Sequence, residues 1–363
     1  MPSAETTANP LKPELETIAC CLCRATAGYR PVLTATNFNL ECGPAAAFQI
    51  VQCQRCGLQF TNPRPTPAFL AAFYPQQYYA YQPKPPKPQH SGLKALGARI
   101  EGWSKLAVRQ AFWNYPAGML YQWLVRLLCW PLALRMCLLG KDLKIIPYRG
   151  QGRFLDVGCG TGGDLVYQRQ FGLQVAGVEW NASAAERARL DHGLDVRAGT
   201  LESARFPDQS FDMIHMSHVF EHLPNPARTL DELHRLLDAN GLLILKVPDA
   251  GSASAARFGP HWLGYDVPRH LYHFTRQTMA KLLQEHGFVL EAIRQDPGMW
   301  SMWRESERFE RRARGQSIPA DSWWNDTRQQ AAEWWACLAG RGSAMAVYAR
   351  KIAVPGRTVT AAH

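Results

Sequence analysis

The sequence predicts an α/β protein built around a doubly wound, Rossmann-like sheet of seven strands within residues 150–353. Short apolar runs alternate there with longer stretches of helical periodicity, which is typical of strands joined by crossover helices. A glycine-rich turn follows the first run, and the ends of such strands are where doubly wound sheets bind ligands. The predicted strands are 153–157, 174–179, 195–198, 211–216, 242–247, 289–294 and 344–349.

The rest of the chain divides by composition. Its 363 residues, of which 47% are hydrophobic, are enough for one sizeable core with smaller accessory units. The run QPKPPKP at 82–88 indicates a stiff linker between two folding units. The predicted units are a tail at 1–18, a cysteine-bearing module at 19–62, a connector at 63–93, a helical segment at 94–149, a helical lid inserted into the sheet domain at about 253–285, and a tail at 354–363.

The ten cysteines occur without a secretory pattern, because the opening MPSAETTANPLKPELETIA is polar and lacks an apolar run. We therefore expect a cytoplasmic location. Thiols stay reduced there, and clustered cysteines are more typical of metal ligands than of disulfides.

The formal net charge of +10 indicates attraction to an anionic partner such as a nucleotide-linked substrate, RNA or a membrane surface. The most apolar stretch is 115–139, in which Arg126 and Arg135 lie on either side of Pro131. A spanning helix would bury both charges in lipid. Helices packed on the sheet domain are therefore expected, with a peripheral membrane contact as the alternative.

Two C-x-x-C knuckles predict a metal site in the N-terminal module. Cys20 and Cys23 form one knuckle, and Cys53 and Cys56 form the other. Four thiolates presented by two tight turns make a closed tetrahedral zinc site, which is structural because no coordination position stays open. Cys21 and Cys42 are spare candidates as ligands.

The glycine loop in FLDVGCGTGGDL, residues 154–165, predicts a cofactor site. Its glycines also fit the dinucleotide fingerprint, and Glu179 has the spacing of a ribose-binding acid, so a nicotinamide cofactor stays open on glycines alone. Asp156 favours S-adenosylmethionine, because a carboxylate at the strand end suits a methionine ammonium better than a pyrophosphate. Glu179 can accept hydrogen bonds from both ribose hydroxyls, or alternatively is only a neighbour of a helix N-cap.

Four segments in order resemble the class I S-adenosylmethionine-dependent methyltransferases over about 150–295: DVGCGTG, VAGVEWNASAAERA, FDMIHMSHVFEHLPNP and LLDANGLLILKVPD. The chain resembles the branch that includes ubiquinone-pathway O-methyltransferases and methyltransferases of polysaccharide clusters. Its cysteine module resembles the zinc ribbon attached to many members of that branch.

This resemblance implies a cofactor site in which Asp156 and Gly158 face the methionine part and Glu179 the ribose. Trp180 and Leu201 would face the adenine, with core packing as the alternative for Trp180, and His215 would line the wall near the methyl group. The cofactor-binding residues expected are Asp156, Gly158, Cys159, Gly160, Gly162, Glu179, Trp180, Leu201 and His215.

Methyl transfer to a hydroxyl requires a group that takes its proton, and histidine suits this near neutral pH. The segment PRHLYHF resembles the P-x-H-L-x-x-F segment of the same branch, whose histidine lies near the acceptor pocket. His270 is therefore the leading candidate base, with His218 and His273 as the others. His273 alternatively packs within the lid.

His218, Glu221 and His222 have helical spacings that could place them on one face, as a base or a metal site. The ubiquinone-pathway enzymes have an acid at the position of His218, which puts a shared metal role in doubt. Alternatively, Glu221 and His222 only hold the loop before Pro224.

The expected function is methyl transfer from S-adenosylmethionine to a small molecule or glycan, by O-methylation of a hydroxyl. RNA methylation is an alternative, although 19–62 has few basic residues and lacks the aromatic–basic alternation that tracks a nucleic-acid strand. Outside methyl transfer, the glycine loop also permits a nicotinamide-dependent oxidoreductase or a non-catalytic cofactor-binding protein.

Overall fold

The structure is a computed structural model that describes residues 14–37, 46–74, 93–111, 113, 115–138, 140–318 and 322–352. The predicted linker at 82–88, the spare candidate Cys42, most of the predicted tail at 1–18 and the whole of the tail at 354–363 lie outside the described residues.

The N-terminal part is a small β unit with one short helix. Its elements are β1 (Leu15–Glu16), β2 (Tyr29–Thr36), β3 (Ala47–Cys53), β4 (Gln59–Thr61), β5 (Arg64–Pro65) and α1 (Pro67–Leu70). Antiparallel pairing joins β2 to β3 and β3 to β4. The two cysteine knuckles lie in turns before β2 and after β3.

Two long helices follow, α2 (Leu93–Ala111) and α3 (Met119–Leu138), which pack against each other. Helices were expected in this segment. Within the described ranges, no helix combines the length and apolarity required to cross a bilayer.

The sheet domain begins after residue 150. Its elements are β6 (Arg153–Val157), α4 (Gly163–Arg169), β7 (Gln174–Glu179), α5 (Ala182–His192), β8 (Asp195–Ala198), β9 (Phe211–Ser217), α6 (Pro226–Leu236), β10 (Leu237–Pro248), α7 (Ala253–Phe258), β11 (Tyr272–His273), α8 (Arg276–Glu285), β12 (Phe288–Gln295), α9 (Ser301–Ala313), α10 (Trp323–Leu338) and β13 (Ala344–Lys351).

Seven of these strands form one sheet in the order β12-β13-β10-β9-β6-β7-β8, which confirms the predicted fold class. The bounds of β6, β7 and β8 are those predicted. Strand β10 begins earlier than expected, at Leu237, with an irregularity between Leu237 and Leu242 where Asn240 has a φ of 62°.

Strand β13 runs antiparallel to both of its neighbours in the sheet, β10 and β12. The chain enters β13 at the edge where β10 ends, since the Asp249 amide donates to the Ser343 carbonyl oxygen at 3.0 Å. A strand that starts at that edge has to run back along the sheet.

The two faces of the sheet are covered by different elements. Leu155, Val157 and Ile214 share one core with α6, α8 and the N-terminal β unit. Phe154 and Met213 share a second core with α2, α3, α4 and α5. This alternation follows from the opposite orientation of successive side chains along a strand.

The N-terminal unit is joined to the sheet domain through backbone hydrogen bonds. Strand β11, within the predicted lid segment, pairs antiparallel with β4 and completes a four-stranded sheet of order β11-β4-β3-β2. Parts of the two predicted folding units therefore share one sheet.

Candidate active site

The glycine loop between β6 and α4 adopts the left-handed backbone expected of glycine. Gly158, Gly160 and Gly162 have φ values of 77°, 55° and 81°. A Cβ on Gly158 would come within 2.4 Å of Val219, and one on Gly162 within 2.4 Å of Leu194. Conformation and space thus both require glycine at these two positions.

Glu179 braces this loop from the end of β7. Its Oε2 accepts a hydrogen bond from the Gly160 amide at 2.7 Å, and its Oε1 accepts one from the Asn181 amide at 2.8 Å. Burial raises the pKa of Glu179, and the hydrogen bonds from Asn181 and Gly160 oppose that rise. Each carboxylate oxygen retains a second lone pair, so the bracing leaves room for ligand hydroxyls. Asn181 itself caps α5, so Glu179 is also the N-cap neighbour that the alternative interpretation described.

Asp156 and His215 form a buried pair beneath the loop. His215 Nδ1 lies 2.9 Å from Asp156 Oδ1. Burial raises the pKa of Asp156, and the hydrogen bond from His215 opposes it. Nothing in the described part of the chain hydrogen-bonds to His215 Nε2. Asp156 is therefore paired with a side chain of the neighbouring strand β9.

Three further residues of the predicted cofactor site differ in exposure. Trp180 directly follows Glu179, and its side chain is 71% exposed, so it does not pack in the core. Leu201 and Cys159 are buried. Cys159 packs with Leu165 in the core below the loop, and Leu201 packs in the core of the opposite sheet face.

Glu221 is the centre of a histidine cluster just after β9. His218 Nδ1 lies 3.4 Å from Glu221 Oε1, and His270 Nε2 lies 3.9 Å from the same atom. Burial alone would raise the pKa of Glu221, but the His218 contact and the electrostatic influence of the neighbouring histidine rings lower it to about 2. A buried carboxylate thus stays anionic through the whole neutral range.

The helical spacing expected for this segment is not what brings His218 to Glu221. His218 has a φ of 54°, and only Phe220–His222 form a single 3-10 turn. The left-handed backbone at His218 turns its ring back toward Glu221. Such a conformation is uncommon for a residue other than glycine and is concentrated at functional sites.

The three candidate bases are held differently. His218 is 34% exposed, whereas His270 and His273 are buried. His270 Nδ1 lies 2.8 Å from the Gly264 carbonyl oxygen, and its Nε2 lies within 4 Å of the carboxylates of Glu221 and Asp266. Both ring nitrogens of His270 therefore face oxygen atoms of the protein.

His222 contacts a residue that the sequence did not single out. Its Nδ1 lies 2.9 Å from the Tyr74 hydroxyl and 3.0 Å from the Arg269 carbonyl oxygen. A carbonyl oxygen only accepts, so Nδ1 carries the proton and Nε2 is the unprotonated nitrogen. Burial, with repulsion from His270, lowers the pKa of His222 to about 4. No local spacing connects Tyr74 to His222, which explains why sequence reasoning missed it.

Thr61 is a second residue from the N-terminal unit that reaches the cluster. Its amide donates to the Leu271 carbonyl oxygen at 3.0 Å, and the Leu271 amide donates to the Glu221 carbonyl oxygen at 2.9 Å. The Thr61 hydroxyl donates to the His270 carbonyl oxygen at 3.2 Å. The predicted lid strand thus runs between β4 and the histidine cluster, bonded to both.

Because His273 is buried, we expect the folded protein to lose stability in acid. Burial, with repulsion from His270, lowers the pKa of His273 from 6.5 to about 3. The unfolded chain therefore binds a proton below pH 6.5 that the folded chain does not, and stability falls as pH falls through this window. From this residue we expect the free energy of unfolding to decrease by roughly 2 kcal/mol between pH 7 and pH 5, measured by urea denaturation.

The matched variant is His273→Phe, which keeps a ring against Tyr265 and leaves the Thr61 hydroxyl bonded to the His270 carbonyl oxygen. It should lose less stability than the wild type over this pH range. A control substitution at the exposed His192 should change nothing. Equal acid sensitivity of wild type and His273→Phe would contradict the burial of a neutral His273.

The cysteine cluster has the geometry of a tetrahedral thiolate site. Cys20 Sγ lies 3.4 Å from Cys56 Sγ, and Cys23 Sγ lies 3.4 Å from Cys53 Sγ. All four sulfurs lie within 4.8 Å of one another, and Cys21 does not belong to the group. Zinc–sulfur bonds of about 2.3 Å fit this spacing. The four cysteines are compatible with a structural zinc ion.

A second group of three side chains also has metal-ligand spacing. The ligand atoms of Glu221, His222 and His270 all lie within 4.8 Å of one another. These three residues belong to the histidine cluster described above. His218, although part of that cluster, is not one of the three possible ligands.

Residues 135–293 match the family model described as a methyltransferase domain. Together with the strand order and the acid-ended glycine loop, this match identifies the kind of domain that these residues form. The chain carries a class I S-adenosylmethionine-dependent methyltransferase domain, as the sequence predicted.

Curated relatives agree with this assignment. The chain is 28% identical over 152 residues to a probable S-adenosylmethionine-dependent methyltransferase of Mycolicibacterium smegmatis, covering 40% of this chain and 56% of the relative. It is 30% identical over 158 residues to the ubiquinone biosynthesis O-methyltransferase of Maricaulis maris, covering 40% of this chain and 62% of the relative. The chain thus spans less than two thirds of either relative.

Solved structures with a similar arrangement include a putative sarcosine dimethylglycine methyltransferase from Galdieria sulphuraria. The sequence identity is 17%, the match covers 72% of this chain and 88% of that one, and the TM-score is 0.41. A possible histamine N-methyltransferase from Thermotoga maritima is 20% identical, with 68% and 99% covered and a TM-score of 0.41.

Proposed function

We propose that this protein transfers a methyl group from S-adenosylmethionine to a hydroxyl of a small molecule or glycan. The observation that carries the proposal is the pairing of His218 with the buried anionic Glu221 just after β9, which is adjacent to β6 and its glycine loop. The same chemistry is named for the ubiquinone biosynthesis relative.

S-adenosylmethionine supplies an electrophilic methyl group on a sulfonium. Glu179 and the loop of Gly158, Gly160 and Gly162 would hold its ribose and methionine parts, and the exposed ring of Trp180 would cover the adenine. Asp156, paired with His215, would help to position the loop. Acidic side chains beside the loop suit a cationic cofactor that carries no phosphate.

His218 is the base we favour over His270. Its Nδ1 faces the Glu221 carboxylate, which leaves Nε2 to take a proton, and its ring is partly exposed. An acid that orients one imidazole nitrogen while the other accepts a proton is an established arrangement for activating a hydroxyl. Glu221 stays ionised because its pKa is about 2, so it stabilises the imidazolium that forms.

A small acceptor is favoured because backbone contacts cover the cluster. The backbone of Leu271 is hydrogen-bonded to the backbone of Glu221 and to that of Thr61. The Tyr74 hydroxyl contacts the His222 ring. A folded RNA would have to displace these contacts. RNA retention on the purified protein at moderate salt would favour that alternative.

The test of the cofactor assignment is calorimetric titration with S-adenosylhomocysteine and, separately, with NAD. We expect S-adenosylhomocysteine to bind and NAD not to bind. Glu179→Ala should weaken binding at least about tenfold, because hydrogen bonds to a charged group contribute on the order of 1.5–3 kcal/mol. Binding of NAD alone would overturn the proposal.

Asp191→Ala on α5 is the matched control, because it removes an exposed carboxylate on the helix that follows the Glu179 segment. It should bind S-adenosylhomocysteine as the wild type does. If Glu179→Ala also binds normally, the loop is braced by Glu179 but the ligand is held elsewhere.

A further inference from the structure

Helix α3 exposes large apolar side chains along most of its length. Among its residues, those buried are Val125, Ala133 and Met136. The exposed ones include Leu120, Trp123, Leu127, Leu128, Trp130 and Leu134. A contiguous apolar surface of this kind is unusual on a protein that has no partner there.

The exposed surface continues onto α10. Trp334 Nε1 donates to the Leu138 carbonyl oxygen at 3.4 Å, and the two helices line a shallow depression between Pro131 and Trp334. Trp335 and Leu338 are exposed beside it. We call the exposed apolar side chains of α3, together with Trp334, Trp335 and Leu338 of α10, the α3–α10 surface.

Charge selects the occupant of this surface. Helix α3 contains two basic residues, Arg126 and Arg135, and no acidic residue. Arg126 and Arg135 are exposed among the apolar side chains of α3. A second copy docked through the same helix would bring its own exposed arginines against these, which like-charge repulsion opposes. An anionic lipid surface attracts the same charges.

The residue types also suit the membrane interface. Tryptophan is enriched at the headgroup level, because its ring is apolar and its N–H is polar. Arginine can extend its charged end toward phosphate while its stem stays in apolar surroundings. Helices that lie in the plane of a membrane combine such residues with leucine.

We propose that the α3–α10 surface lies in the headgroup region of an anionic phospholipid bilayer and holds the protein at the membrane. The helix axis of α3 lies along the membrane rather than across it. Leucine and tryptophan side chains enter the boundary between headgroups and acyl chains, and the arginines contact lipid phosphates. This inference is independent of the proposed reaction, because the surface shares none of the residues assigned to it.

The experiment is flotation of the full chain with vesicles of phosphatidylcholine that contain phosphatidylglycerol, compared with vesicles of phosphatidylcholine alone. We expect binding to the anionic vesicles, weakened at high ionic strength. Leu128→Glu, at a position 71% exposed, should reduce the bound fraction at least about tenfold. It should still bind S-adenosylhomocysteine like the wild type, which excludes unfolding as the cause.

Leu190→Glu on α5 is the matched control, because Leu190 is 76% exposed and lies outside the surface. It should float like the wild type. The proposal is overturned if the wild type does not float with anionic vesicles, or if both variants float equally well. A third outcome also overturns the proposal: light scattering shows that Leu128→Glu converts a dimer to a monomer, and flotation is unchanged. The surface would then join two copies of the chain.

Discussion

Replacement of His218 by alanine is expected to lower turnover by about 100- to 10,000-fold, the range found for loss of a positioned general base. His218 is the histidine of the cluster whose ring is both partly exposed and in contact with the Glu221 carboxylate. Binding of S-adenosylhomocysteine should be unchanged, because the His218 side chain pairs with Glu221, whereas the glycine loop is braced by Glu179. The measurement is methyl transfer to an acceptor found by screening hydroxylated sugars, glycans and phenols.

Glu221→Gln tests the same pair from its other side. It keeps the side-chain volume and removes the charge that stabilises a protonated His218. We expect a loss of turnover without a loss of cofactor binding, as for His218→Ala. Because Glu221 and His218 act as a unit, the double variant should lose little more than either single variant.

His270→Gln is the matched comparison, since both ring nitrogens of His270 face protein oxygens. It should retain most of the turnover. If His270→Gln instead abolishes turnover while His218→Ala is active, the base is His270, as the sequence resemblance first implied. Activity of both variants at wild-type level would remove histidine bases of this cluster from the mechanism.

Loss of zinc is expected to abolish turnover as well, although the metal lies outside the histidine cluster. Two cysteine knuckles hold the turns that flank β2 and β3, and β3 pairs with β4. Strand β4 in turn pairs with β11 and carries Thr61, which bonds to the backbone of His270 and Leu271. Unravelling this unit would release Thr61 from the lid and Tyr74 from His222.

The experiment is metal analysis and turnover of Cys53→Ser beside Cys21→Ser. The wild type should contain about one zinc per chain, and Cys53→Ser should lose both zinc and activity. Cys21→Ser is the matched control, because its sulfur is not in the four-cysteine group. It should retain zinc and turnover.

Retention of wild-type zinc by Cys53→Ser would contradict the ligand assignment. Loss of zinc with unchanged turnover would contradict the coupling between the N-terminal unit and the lid. A second metal equivalent that survives in Cys53→Ser would point to Glu221, His222 and His270, whose ligand atoms are close enough to share an ion.

The strands of the sheet and the glycine loop were predictable because their signals are local. A short apolar run defines a strand within a few positions, and the left-handed turns of the loop select glycine at Gly158 and Gly162. The four zinc-ligand candidates follow from spacing in the same way, since each knuckle is one tight turn. The family resemblance rests on these same short segments.

The sequence resemblance ranked His270 first among the candidate bases, whereas our preference for His218 rests on the surroundings of each ring. His218, His270 and His273 differ little in sequence context, and their difference arises from burial and from the oxygen atoms that surround each ring. The exposure of Trp180 and the pairing of Asp156 with His215 on the adjacent strand likewise depend on how the strands lie side by side.

The sequence by itself determined the fold class, the cofactor loop with Glu179, and the pair of cysteine knuckles, because each is encoded by residues a few positions apart. Only the tertiary structure decided that Tyr74 meets His222 across 148 positions, that Thr61 bonds to the backbone of His270, and that His270 lies near Glu221. The Thr61 contacts accompany the pairing of β11 with β4. A pairing between distant strands is fixed by the packing of the whole chain, and no periodicity within either strand records it.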